Sequence, residues 1–160
     1  KLLYEGRSVQ HAGVILGLGG VAGHAFLRTA EDAPGYFGRA VVPSNWSALT
    51  GACLLVRRAI YQEVSGLDEN ELPIAFNDID FCIKVRDAGY RNILVPSAKL
   101  FHYESVSRGA EDTPEKQARF NREVGILKSR YGSALNEDPF YSPHLRLDDD
   151  FAIRTERLAA

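Results

Sequence analysis

Methionine is absent from this 160-residue chain, which opens on Lys1, and the expectation is a segment of a longer polypeptide. An excess of basic residues is also missing. With a net charge of -2 and a pI near 6.1 there is no broad cationic surface of the kind that nucleic acid requires, so DNA and RNA are excluded as expected partners. Cysteine is scarce: Cys53 and Cys82 each sit inside an apolar run, a pattern of small buried side chains in a reducing cytoplasm rather than a disulfide framework or zinc site. No apolar stretch approaches the roughly 20 residues that span a bilayer, and no basic-then-apolar leader opens the chain. The sequence is 45% hydrophobic and 25% charged, the balance of one soluble domain with a real core.

Punctuation by glycine and proline divides the chain. The apolar run within 9–18 reads as a strand, followed by a loop at Gly17, Gly19 and Gly20. No Gly-Lys-Ser/Thr follows those glycines, so a plain turn is preferred to a phosphate loop. Pro34-Gly35 and Pro43-Ser44 punctuate a loop that carries the single tryptophan, Trp46. Residues 47–56 form a continuous apolar segment, expected as a strand buried on both faces. A short helix is expected over 57–64, a second over 78–88 with Phe81, Cys82, Val85 and Ala88 on one side, and strands over 91–95 and 98–103. Thr113-Pro114-Glu115 opens a third helix with Phe120, Val124, Leu127 and Tyr131 at helical spacing. Residues 136–160, with three consecutive aspartates and no period, read as an irregular tail that drapes or frays.

Three polar features fall at the ends of these elements: Thr50-Gly51, the pair Asp78 and Asp80, and His102. A helix N-terminus stabilises a carboxylate through its dipole and free N–H groups, so Asp78 can serve as a base, although Asn77 or Asp78 can equally act as a simple cap. Residues two apart on a helix point about 200° apart, so the two acids do not share one pocket. Asp80 is therefore expected to be supporting, bonded to backbone or to an arginine such as Arg57 or Arg91. His102 reads locally as packed, solvated or a ligand, and His11, His24 and His144 carry still less context. The run Asp148–Asp150 is expected to be solvated.

Taken in order, Thr50-Gly51-Ala52-Cys53-Leu54-Leu55-Val56-Arg57-Arg58, Val64-Ser65-Gly66-Leu67-Asp68-Glu69, Asn77-Asp78-Ile79-Asp80-Phe81-Cys82, Ala88-Gly89-Tyr90-Arg91, Pro96-Ser97-Ala98 and His102 through Gly109 resemble the second half of family 2 glycosyltransferases of the GT-A fold. The resemblance spans roughly residues 6–141. It implies an α/β, partial GT-A (Rossmann-like) fold, a mixed sheet flanked by about three main helices, with 1–135 as the C-terminal portion of the glycosyltransferase domain.

The implied activity is a hexosyltransferase-type transfer of a sugar from a nucleotide-diphosphate donor to an acceptor hydroxyl, with inversion, in surface polysaccharide biosynthesis. Asp78 falls at the family's base position, where a Glu-Asp pair is usual and this chain has Asn77-Asp78. His102 matches a position that helps bind divalent metal, Mg²⁺ or Mn²⁺; Trp46, Thr50 and Gly51 match the acceptor side, and Arg108 a loop over the donor phosphates. A glycan or lipid-linked acceptor and peripheral membrane association at the inner face are further implied, and the unpaired strand edges of a partial sheet lead to the expectation of a homodimer through an exposed strand. The family's upstream Asp-x-Asp metal motif has no counterpart before Gly51, and Asp78-Ile79-Asp80 stands at the base position instead, so the isolated segment is expected to be inactive. Two other readings stay open: a non-catalytic glycan- or protein-binding module, and a metal-dependent hydrolase using Asp78, Asp80 and His102.

Overall fold

Very short strands set the sheet side of the molecule. The computed structural model describes residues 1–103 and 113–155. Strand β1 (Leu2–Leu3) is the centre of a mixed sheet, antiparallel to β2 (Val9–His11) and parallel to β7 (Leu100–Phe101). Strands β3 (Val14–Leu16) and β4 (Ala22–His24) form a hairpin, and β5 (Ser44–Trp46) pairs antiparallel with β6 (Asn92–Leu94). Helices α1 (Arg58–Glu63), α2 (Asn77–Asp87) and α3 (Pro114–Tyr131) complete a mixed α/β arrangement among the described residues.

The strand expected over 9–18 is broken at Gly13. That residue has φ of 108°, and a Cβ there would lie 2.2 Å from a ring carbon of Trp46. Only glycine allows the chain to turn this close over the indole. Trp46 is 1% exposed, its ring carries the Arg39 guanidinium 4.1 Å from its centroid, and Nε1 donates to Ser44 Oγ. The glycines at 17, 19 and 20 belong to the tight connection between β3 and β4.

The segment 47–56 departs from the expected buried strand. Ser47, Ala48 and Leu49 are buried and Ala48 bridges Val14, but Gly51–Cys53 wind into a 3₁₀ turn and Leu55 is 99% exposed. Backbone N–H groups explain the change: Thr50 N–H donates to His11 Nε2 and Gly51 N–H to Asp78 Oδ2, so neither serves a β-ladder. Cys53 is consequently exposed, against expectation. Cys82 is buried, hydrogen-bonded with the Leu49 backbone, and burial pushes its thiol up to about 12.

Thr113 Oγ1 accepts from Lys116 N–H and Pro114 takes the first turn of α3, as the cap pattern predicts. The buried face of that helix differs from the apolar stripe read in the sequence. Leu127 and Glu123 are fully buried, whereas Phe120 is 41% exposed and meets Phe76 at 5.3 Å.

Residues 136–155 drape over the domain, as one of the two expectations had it, and are anchored in the core at Asp138, Tyr141 and Leu145 rather than frayed. Asp138 is buried, accepts from Leu16 N–H at 2.8 Å and takes the Ser47 hydroxyl at 2.7 Å. Phe151 stacks on Phe26 with centroids 4.5 Å apart, and Asp150, expected to be solvated, accepts from Phe26 N–H. Among the described residues no helix is long and apolar enough to cross a membrane.

Candidate functional site

Two acids at the start of α2 take opposite directions. Asp78 is half-buried, with Oδ2 accepting from Gly51 N–H at 2.8 Å and Oδ1 from Ile79 N–H at 2.9 Å. Both bonds fix the carboxylate while leaving lone pairs open. Asp80 is 0% exposed; its Oδ1 accepts from Arg130 Nη1 at 2.6 Å and the Tyr131 hydroxyl at 2.7 Å, and Lys84 Nζ lies 3.0 Å from Oδ2. Burial pushes its carboxyl up, but the bonds from Tyr131, Arg130 and Lys84 outweigh it and hold the group below its ordinary value. Arg57 and Arg91, the expected partners, are exposed and line a different part of the surface; α3 lies across the start of α2 and brings Arg130 instead.

One face of α3 pins the segment leading to Asp78. Glu123, Leu127 and Arg130 recur at i, i+4 and i+7, so they share a stripe. Glu123 Oε2 accepts from Ala75 N–H, and Arg130 Nη2 donates to Asp68 at 2.9 Å as well as to Glu71. Between these anchors Phe76 takes φ of 62°, costly for an aromatic residue and held immediately before the helix.

A second cluster lies next to Thr50. Three histidines, His11, His24 and His102, line a pocket of about 240 Å³ together with Tyr4, Gln10 and Thr50. Thr50 N–H, a fixed donor, faces His11 Nε2 at 3.4 Å, so Nε2 carries the lone pair and the proton sits on Nδ1. From there it points to His24 Nδ1 at 3.0 Å. Burial first, then His24, push the His11 imidazole well below its ordinary value, so it is neutral in the fold. Sequence reasoning passed over His11, His24 and Gln10. Their convergence depends on the hairpin and sheet registers, which no local pattern encodes.

Thr50 and Gly51 therefore join the two clusters, one N–H directed to each. Trp46, by contrast, lies inside the core and offers no surface to an acceptor, a correction to its expected place. Asn77 is half-buried beside Asp78, and Arg108 lies outside the described residues. Among the described residues no group of three His, Cys, Asp or Glu side chains can hold a metal ion, and Asp80 is committed to its cations. A larger open hollow of about 820 Å³ is lined by apolar side chains including Leu54, Leu55, Ile93, Val95 and Leu100.

With this geometry established, comparison with known proteins gives three informative similarities. An uncharacterized protein, y4gI, of Sinorhizobium fredii is 51% identical over 158 residues, covering 98% of this chain and 17% of that protein. The O-antigen biosynthesis protein RfbC of Myxococcus xanthus is 34% identical, over 92% of this chain and 11% of its own length. The N-acetylglucosaminyl-diphospho-decaprenol L-rhamnosyltransferase of Mycobacterium tuberculosis is 32% identical over 56% of this chain and 28% of its own length. The chain thus spans between 11% and 28% of the length of these relatives. No family model matches the chain, and no solved structure matches it.

The 89-residue similarity to the rhamnosyltransferase and the 152-residue similarity to RfbC are both to sequences much longer than this one. Within the present chain, the half-exposed Asp78 carboxylate and the histidine pocket are the features with chemistry to offer.

Proposed function

We propose that this chain is the acceptor-side, catalytic-base part of a glycosyltransferase of surface polysaccharide biosynthesis, built on part of a GT-A fold. The names of the relatives from Myxococcus and Mycobacterium support a glycosyltransferase family, and the order of motifs supports the same reading. The observation that carries the assignment of the base is Asp78: a carboxylate oriented by two backbone N–H groups, half-exposed, at the start of a helix clamped by α3.

A sugar hydroxyl is a weak nucleophile. In this reading Asp78 accepts the hydroxyl proton as the acceptor oxygen forms its bond to the anomeric carbon of a nucleotide-diphosphate sugar, and the nucleoside diphosphate leaves from the opposite face, inverting the centre. Thr50 and Gly51 border the acceptor, since the Gly51 N–H bonded to Asp78 places them beside the base. Helix α3 contributes by holding residues 68–80 still, which preserves the base geometry during attack.

A divalent cation, when bound, would neutralise charge on the departing diphosphate. His102 is the residue the resemblance puts forward as a ligand, its Nδ1 facing Gln10 Oε1 at 2.8 Å, but the described residues around it form no group that could hold the ion. A lone imidazole suits Mn²⁺ better than Mg²⁺, which demands oxygen donors. The remaining ligands are assigned to sequence outside this chain, as is most of the donor pocket.

The hydrolase reading loses its support, because Asp80 is buried against Arg130 and faces away from Asp78. The test of the transferase reading is turnover of nucleotide sugars by the chain extended with its flanking sequence, with the anomeric configuration of the product read by NMR. Inverted product supports the proposal; glycan binding without turnover favours the binding-module reading.

A further inference from the structure

We propose that the pocket beside Thr50 is a subsite for one uncharged sugar ring, the terminal residue of the acceptor glycan. The word acceptor rests on the transferase reading, whereas the selection of a neutral sugar rests on the walls of the pocket alone. None of the residues that line it is a lysine, arginine, aspartate or glutamate. The chain carries 19 basic and 21 acidic side chains, so this neutrality is a property of the place and not of the composition. Without a carboxylate the pocket has no means of holding a divalent cation, and without a cation it cannot neutralise a phosphate.

Hydrogen-bonding groups stand where charges are missing. His102 Nδ1 faces Gln10 Oε1 at 2.8 Å, while Gln10 Nε2 is turned to the His102 carbonyl at 3.3 Å. An amide oxygen only accepts, so the imidazole proton is on Nδ1 and Nε2 is an acceptor. The Tyr4 hydroxyl both donates and accepts, and among the described residues neither it nor His102 Nε2 has a hydrogen-bond partner. Thr50 Oγ1 accepts from Ala52 N–H at 3.3 Å and keeps its own proton to donate. Donors and acceptors mixed around one cavity match the hydroxyls of a sugar, each of which is also both. Leu2 and Leu27 add apolar wall for the C–H face of a ring.

Size and position narrow the occupant further. Cavities for drug-sized ligands run from about 300 to 1,000 Å³. At about 240 Å³ this one suits a single monosaccharide ring rather than a nucleotide sugar. The donor also brings a diphosphate, for which the walls hold no counter-charge. Thr50 lines the pocket and the next residue, Gly51, donates to Asp78 Oδ2 at 2.8 Å. A ring seated against Thr50 is therefore one residue from the contact that orients the base, where the sugar that loses a hydroxyl proton belongs.

The experiment is ¹H–¹⁵N and aromatic ¹H–¹³C correlation NMR on the labelled 160-residue chain, which contains every residue of the pocket. The probes are the methyl glycosides of glucose, mannose, rhamnose and N-acetylglucosamine, with methyl glucuronide and inorganic diphosphate in parallel. A lone ring binds on the order of millimolar, so the titrations run to about 100 mM. At least one neutral glycoside should shift the Tyr4 and His102 ring signals and the Thr50 amide saturably. Methyl glucuronide and diphosphate should bind at least about tenfold more weakly, because their charge finds no partner. His102→Leu removes one hydrogen bond and should weaken the neutral glycoside about two- to tenfold. Pocket signals that no neutral glycoside moves overturn the subsite, and so does diphosphate binding more tightly than all of them; both are read on the wild-type chain and need no variant to fold. Saturable glycoside binding here, with no sugar transfer by the chain extended with its flanking sequence, upholds the subsite and overturns the transferase reading.

Discussion

Replacing Arg130 with methionine should destabilise the chain by about 3 kcal/mol, a value set by what is left behind on α2. Asp80 is fully buried, whereas the Arg130 side chain is 28% exposed. Arg130→Met keeps the aliphatic stem and removes the guanidinium that donates to Asp80, Asp68 and Glu71. The bond to Glu71, itself largely exposed, contributes under about 1 kcal/mol. Breaking a buried pair by removing one partner costs about 3–5 kcal/mol, because the other charge stays in a place without water. Lys84 at 3.0 Å and the Tyr131 hydroxyl at 2.7 Å still reach Asp80, which brings the cost to the lower end of that range.

Urea unfolding followed by far-UV circular dichroism reads the effect. With a slope of about 2 kcal/mol/M for a domain of this size, the midpoint should fall by about 1.5 M. The double variant Asp80→Leu/Arg130→Met removes both charges and should recover at least about 1 kcal/mol relative to Arg130→Met. A fall of less than about 0.5 M, or a double variant whose loss is the sum of the two singles, would refute the reasoning.

Other consequences follow from the same contacts. His11 is neutral in the fold with its imidazole well below the ordinary value, while the unfolded chain protonates it near pH 6.5, so the unfolded state binds more protons below that pH and stability falls as pH drops. Between about pH 6.5 and 5 the slope should approach about 1.4 kcal/mol per pH unit and flatten in His11→Gln; an unchanged slope would contradict the burial argument. Gly13→Ala should cost about 3 kcal/mol by thermal unfolding, because its Cβ would overlap the Trp46 ring at a φ of 108°. A melting temperature equal to wild type would show that the indole does not pack on that backbone.

Much of the fold was legible from local chemistry. Thr113 and Pro114 announced α3, the Asn77–Asp80 stretch announced α2, and the 200° separation of Asp78 and Asp80 foretold one inward and one outward acid, with about that angle following from helix geometry. What escaped were contacts made across the chain. Glu123 looks like a solvated surface residue on an amphipathic helix, yet its bond with Ala75 N–H belongs to a fully buried carboxylate, and the exposed Arg130 reaches the buried Asp80. The apolar segment 47–56 looked like a strand because hydrophobicity reports burial rather than backbone pairing; the N–H groups of Thr50 and Gly51 instead go to His11 and Asp78. The resemblance placed Trp46 on the acceptor side, but its indole packs in the core against the turn at Gly13. The histidine pocket needed sheet register and hairpin geometry at once, which sequence spacing does not carry.

The central claim is that Asp78 is the base of sugar transfer. It is tested most directly by comparing wild type with Asp78→Asn in the chain extended by its flanking sequence, measuring kcat for transfer together with the Kd for donor. Asparagine keeps the size and one acceptor oxygen for the Gly51 N–H but cannot take the hydroxyl proton. The account predicts a loss in kcat on the order of 10³-fold with donor affinity unchanged. A variant that transfers sugar at the wild-type rate would contradict it.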